Sequence, residues 1–267
     1  MTTRMPTLFL PHGAGPCFFM DWTMGPKDTW DKLAAWIRGI DGSLPESPRA
    51  LLVVSAHWET AVPTVLASTH PPLLFDYNGF PPHTYELEWA APGSPELATR
   101  VGALLSAAGI ESATEAKRGF DHGVFIPLKL AYPDANVPTV QLSLRADLDP
   151  KAHLAIGRAL APLRDEGVFI VGSGMSFHNL RAFGSPSTGP VSEAFDAWLR
   201  QTATLEAKER DARLVQWASA PSARQAHPRE EHLLPLMVIA GAAGADRGVT
   251  AYSRTLMGAK ISAYHFG

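Results

Sequence analysis

The stretch LLVVSAHWET, Leu51 to Thr60, decides how this chain reads. Leu51–Val54 is a continuous apolar run, the composition of a strand covered on both faces rather than one with a face open to water. The run then meets Ser55, Ala56 and His57, so a segment suited to a core stops by presenting an imidazole. The pattern recurs: His12 follows TLFLP (Thr7–Pro11), and His178 follows shortly after VFIVG (Val168–Gly172).

Outward from this stretch, short runs rich in Val, Ile, Leu and Phe alternate with longer stretches of helical period. Strands are expected at TLFL, ALLVVS, TVLAS from Thr64, TVQLSL from Thr139, VFIVG, GVTAYS from Gly248 and KISAYHF near the C-terminus. The clearest helix runs from Ser94 to Ala108, where Ser94 can cap, Pro95 suits the first turn and Gly109 can terminate. Another spans about Pro150 to Asp165, closed by Gly167, and Ser192 to Ala218 has helical composition throughout. The expected fold is α/β: a single-domain, three-layer architecture with a central, mostly parallel or mixed sheet flanked by helices. No Ser/Gly linker, charge block or internal repeat divides residues 1–267, so one catalytic domain is expected.

Composition narrows the function. The formal net charge of -3 with 18% charged residues offers no basic face for nucleic acid or a membrane surface. No stretch approaches the ~20 apolar residues of a membrane span, and no signal-peptide core precedes PHGAGP, so a cytoplasmic location is expected. One cysteine, Cys17, excludes an intramolecular disulfide framework and a Cys-rich zinc site, and its apolar setting favours packing over nucleophilic chemistry. HGAGP lacks the Gly-Lys-Ser/Thr of a P-loop, and GSGMS does not fit the nucleophile elbow of serine hydrolases. Small-molecule chemistry remains.

His12, His57 and His178 stand at or shortly after expected strand ends, where ligands collect in open α/β sheets. His232, in HPREEHLLPL, is expected at the start of a helix, beside Glu231. Several neutral imidazoles with an adjacent carboxylate suit a divalent ion of the iron or zinc type. His70, His153 and His265 have no supporting motif. The Pro- and aromatic-rich segment from His70 to Pro92 is long enough to wall a site.

Seven motifs in order, PHGAGP, VVSAHW, FDYNGFP, GFDHGVFIPLKLAYP, VPTVQLSL, GSGMSFHNL and REEHLLPLMVIAGA, resemble the class III extradiol ring-cleavage dioxygenases. The likeness is greatest to the single-chain DOPA 4,5-dioxygenase-like branch, which is related to the catalytic subunit of protocatechuate 4,5-dioxygenase. The resemblance implies a non-haem Fe(II) site that binds a catechol and then O2, and opens the ring beside the diol. Zn(II) could occupy the same site in purified protein. It implies His12 and His57 as metal ligands and His232 as the third, with Glu231 as a supporting or substitute ligand. Successive helical residues point ~100° apart, so Glu231 and His232 are not expected to ligate together. His178 corresponds to the family's base; a role as fourth ligand is the alternative. His122, in FDHG, would stabilise charge developing on oxygen, with Asp121 orienting it, and Tyr85 and His83 would wall the pocket. His227 is a candidate for supporting contacts only. Arg118, Arg145, Arg181 and Lys129 are the cations near the motifs, each suited to a structural role. A zinc hydrolase with Glu231 as base, or a metal-binding homologue without turnover, are the other classes considered. The identity of the catechol and the oligomeric state, a homo-oligomer included, stay open.

Overall fold

A computed structural model describes residues 3–267. Every strand of the described residues joins one mixed sheet: β1 (Thr7–Pro11), β2 (Ala50–Thr60), β3 (Thr64–Leu66), β4 (Ala113–Glu115), β5 (Thr139–Arg145), β6 (Val168–Gly174), β7 (Gly248–Leu256) and β8 (Ala259–Phe266). Their spatial order is β4-β3-β5-β2-β6-β1-β8-β7. The centre, β5-β2-β6-β1, is parallel. β8 runs antiparallel to β1, and β7 antiparallel to β8. The central strands are buried along almost their whole length, as their unbroken apolar runs require.

The helices are α1 (Asp31–Arg38), α2 (Pro95–Ala107), α3 (His122–Ala131), α4 (Pro150–Leu160), α5 (Thr188–Ala203), α6 (Ala207–Val215), α7 (Ala223–Ala226) and α8 (Leu234–Ala243). Side-chain alternation shows that they cover both faces. Thr7 pairs with Ile170 across the β1–β6 ladder, and its hydroxyl donates to the Ile239 carbonyl of α8 at 3.2 Å. Ser173, an odd number of residues beyond Ile170, points the other way and donates to the Gly123 carbonyl of α3. Helix, sheet and helix therefore form the three expected layers. α8 is apolar all round because it is buried on every side.

Local signals and structure agree at α2, where Ser94 Oγ accepts from Leu97 N at 3.1 Å and Gly109 has φ +72°. Three expectations are corrected. The helical stretch from Ser192 to Ala218 is interrupted at Thr204–Glu206, giving α5 and α6. β4 has no counterpart among the expected strands. His57 does not end its strand: β2 continues to Thr60, and the register against β5 shifts between Val54 and Glu59, so the histidine sits at an irregularity that re-aims side chains.

Candidate metal and catalytic site

Five histidines converge at the carboxyl edge of the central strands and line one cavity: His12, His57, His122, His178 and His232. His12 follows β1, its amide bonded to the Gly174 carbonyl at 3.2 Å. Gly13 then turns the chain with φ +90°, and a Cβ there would meet Cys17 Sγ at 2.6 Å. His57 sits on β2, with its amide donating to Ser55 Oγ at 3.2 Å. His122 opens α3. His178 lies four residues beyond β6, its amide held by the Ala226 carbonyl at 3.0 Å. His232 precedes α8 by two residues, and its carbonyl accepts from Met175 N at 3.0 Å.

The rings of His12, His57 and His232 lie close together, with centroids 4.8 Å apart for His12–His57, 5.2 Å for His12–His232 and 4.8 Å for His57–His232. His122 approaches from the other side, 3.9 Å from the His57 ring and 5.3 Å from His12. The nitrogens of His12, His57 and His122 lie within 4.8 Å of one another, as do the ligand atoms of His178, Glu231 and His232.

This arrangement suits an ion. His12 Nε2 and His57 Nε2 face each other at 3.2 Å, the separation of two nitrogens that each sit about 2.1 Å from a shared cation. His232 Nε2 is buried and has no partner in the protein. Burial and the neighbouring imidazoles push His12 and His57 well below the ordinary histidine pKa and His232 down to about 4. The rings are thus neutral at physiological pH, as ligation requires.

Two carboxylates set the rings. Asp76 Oδ1 accepts from His122 Nδ1 at 2.8 Å and from His122 N at 2.9 Å, and its other oxygen lies 3.8 Å from His57 Nδ1. Burial alone would raise the Asp76 pKa, but the His122 bonds hold it below the usual value. Glu231 Oε1 lies 2.9 Å from His232 Nδ1 and 3.4 Å from His178 Nδ1, whose rings stack at 3.3 Å. Here too burial opposes ionisation, yet the two imidazole partners hold Glu231 well below the carboxylate range. Arg229 clamps the assembly from outside, bonded to both oxygens of Glu59 at 2.5 Å and lying 3.4 Å from Glu231 Oε2.

Several expected roles change. Asp121 does not orient His122; it is buried beneath the site, receiving Ser55 Oγ at 2.7 Å, Arg118 Nη2 at 3.1 Å and Gln141 Nε2. The orienting group is Asp76, in the FDYNGFP motif. Tyr85 does not line the cavity; its hydroxyl accepts from Phe80 N at 3.3 Å, and its ring backs Tyr77, while Tyr77 and Phe80 form the wall. His83 bonds the Phe19 carbonyl instead. Glu231 and His232 precede the helix, so helical phase does not separate them, and the carboxylate binds the imidazole beside it. His227 lies outside the cavity, buried, with Nε2 on the Ser176 carbonyl at 3.0 Å. None of Arg118, Arg145, Arg181 and Lys129 lines the cavity.

The sequence matches, over residues 6–266, the family described as the catalytic LigB subunit of aromatic ring-opening dioxygenase. The chain belongs to the LigB family. It is 41% identical to a 4,5-DOPA dioxygenase extradiol of Beta vulgaris, covering 89% of this chain and 87% of that protein. A protein of the same name from Escherichia coli K12 is 37% identical, over 93% and 89% of the two chains. The crystal structure of an uncharacterized Escherichia coli K12 protein superposes with a TM-score of 0.78 at 32% identity, covering 99% and 100% of the chains. This LigB member is an extradiol-type ring-cleaving dioxygenase, and its histidine cluster is a group able to hold a metal. No helix among the described residues is long and apolar enough to cross a membrane.

Proposed function

We propose that the whole chain acts as one catalytic domain, an Fe(II)-dependent extradiol dioxygenase that opens a catechol beside its diol using O2. The observation that carries this is the close approach of buried His12 and His232 and half-buried His57, with ring centroids 4.8–5.2 Å apart and the unpartnered His232 Nε2 among them. These three would hold the metal, leaving positions for substrate. Bound there, Fe(II) would supply the Lewis-acid and redox chemistry for the reaction between catechol and dioxygen. Zn(II) also suits three imidazoles.

The protein's own groups handle protons and orientation. With Nδ1 turned to Glu231, His178 presents Nε2 to the cavity and can take a catechol proton, while Glu231 stabilises the imidazolium that results. His122, anchored through Nδ1 to Asp76, presents Nε2 to charge developing on oxygen. Tyr77, Phe80 and Phe183 wall the ring from water. A zinc hydrolase using Glu231 as base is disfavoured, because that carboxylate already binds two imidazoles.

The test is anaerobic Fe(II) loading of protein purified without affinity metal, then oxygen uptake and a yellow ring-opened product on a catechol panel. His232→Ala should lose bound iron. His178→Ala should retain it while kcat falls about 100-fold or more. Loss of iron in both variants would make His178 a ligand, and no uptake by iron-replete wild type would refute the reading.

A further inference from the structure

The sheet does not hold His57 by itself. The ladder from β2 to β6 ends at Ser55, and the ladder to β5 lapses between Val54 and Glu59, where four residues of β2 stand against Ser143 alone. Ala56, His57 and Trp58 therefore have a register partner on neither side. Side chains tie this stretch down instead. The His57 amide donates to Ser55 Oγ at 3.2 Å, and Arg118 Nη2 donates to the His57 carbonyl at 3.1 Å. Glu59, two residues on, takes both arms of the Arg229 guanidinium at 2.5 Å each.

Arg229 belongs to the segment that carries His232, which enters no strand and reaches α8 only at Leu234. One fork thus joins the two stretches of chain bearing His57 and His232, across 170 positions of sequence. The same guanidinium continues inward, with Nη1 3.4 Å from Glu231 Oε2, a buried oxygen that accepts no hydrogen bond among the described residues. Glu231 Oε1 in turn lies 2.9 Å from His232 Nδ1 and 3.4 Å from His178 Nδ1. Glu59, Arg229 and Glu231 form a chain of alternating charge that runs from β2 to these two rings. None of the three lines the cavity.

Exposure separates this role from a stabilising one. The Arg229 side chain is 53% exposed, and ion pairs so open to water contribute little to folding. A planar fork with both arms bound does fix direction, which a point charge cannot.

We propose that Arg229, seated on Glu59, is a positioning residue. It locks the His57 stretch to the His232 segment and holds Glu231 where Oε1 aims the rings of His178 and His232, a role that rests on the reading of His57 and His232 as metal ligands. Losing it should cost metal affinity and turnover, not the fold.

The test titrates Zn(II) into the metal-free full chain against a chromophoric chelator, which reads the site without oxygen chemistry. Arg229→Gln and Glu59→Gln, which keep an amide at each position, should each weaken Zn(II) binding about tenfold or more. The double variant should lose no more than either alone, because each residue acts through the other. Arg229→Lys, with the charge but not the fork, should recover part of the loss. The urea midpoint of metal-free protein should match wild type in all four variants. With Fe(II) at full occupancy, Arg229→Gln should lower kcat about tenfold and leave KM for a catechol within about twofold. Wild-type zinc affinity in either single variant, losses that multiply in the double variant, a urea midpoint falling in step with affinity, or an unchanged kcat overturns the proposal, as does a wild-type chain that binds no zinc. Absence of ring opening by iron-loaded wild type, with the zinc pattern intact, sinks the iron-dioxygenase reading and leaves the positioning role standing.

Discussion

Asp76 holds His122 at two points, backbone amide and ring Nδ1, so one carboxylate fixes both where the ring starts and which nitrogen faces the cavity. Asp76→Asn keeps an acceptor but removes the charge and permits the wrong tautomer. Activity should fall about 10–100-fold with metal content unchanged, read from oxygen uptake alongside metal analysis. Asp121→Asn should behave differently: buried beneath the site and bonded to Ser55, Gln141 and Arg118, it should show a loss of about 1–3 kcal/mol in urea denaturation. Parallel losses of metal in both variants would refute this division. The histidines were legible because each stands out against an apolar run or a small-residue motif. Asp76 was not, because its partner is 46 residues away and it lies in a loop without periodicity; Asp121, adjacent to His122 in sequence, was the nearer but wrong candidate.

Between elements, the tightest contact is the crossing of α4 on α8. A Cβ on Gly157 would lie 2.0 Å from the Val238 carbonyl, and one on Gly241 would lie 2.2 Å from the Leu154 carbonyl. These clashes are with backbone, so a rotamer change cannot relieve them. Gly157→Ala should cost about 1–3 kcal/mol by overpacking, despite the better helix propensity of alanine. Gly102→Ala in α2, with nothing within 4 Å of the new Cβ, should instead be neutral or stabilise by up to about 1 kcal/mol. Chemical denaturation of both variants measures the contrast; equal stability would mean that the crossing adjusts freely. Because His232 leads directly into α8, the Gly157 variant should also bind metal more weakly. Elements with strong local signals were readable, above all the apolar strands and the capped α2. β4 was not, being three residues on the sheet edge with exposed side chains and no alternation. The break between α5 and α6 was hidden because Thr204, Leu205 and Glu206 include neither glycine nor proline.

At the scale of the whole molecule, the candidate ligands belong to segments that meet only after folding. His12, His57 and His232 come from the end of β1, the irregular part of β2 and the approach to α8, and the β2-β6-β1 order with α8 packed on one face makes them neighbours. Strand order was the part of the fold that local patterns could not supply, since it depends on which buried ladders pair across long loops. The same dependence links metal to stability: an unfolded chain with these residues scattered over more than two hundred positions offers no preformed site, so a divalent ion binds the native state almost exclusively. At a free-metal concentration 100 times the Kd, the native state gains about 2.7 kcal/mol. For a chain of this size that raises Tm by roughly 5–10 °C. Scanning calorimetry of metal-free protein, of protein with Fe(II) under anaerobic conditions, and of loaded protein treated with chelator should show the rise and its reversal. His232→Ala should abolish the response without lowering the metal-free Tm to the same extent, because the lost imidazole leaves no other group unpaired except Glu231, which keeps His178 and Arg229. A Tm indifferent to stoichiometrically bound metal would mean that the ion sits elsewhere, on groups the unfolded chain can still assemble.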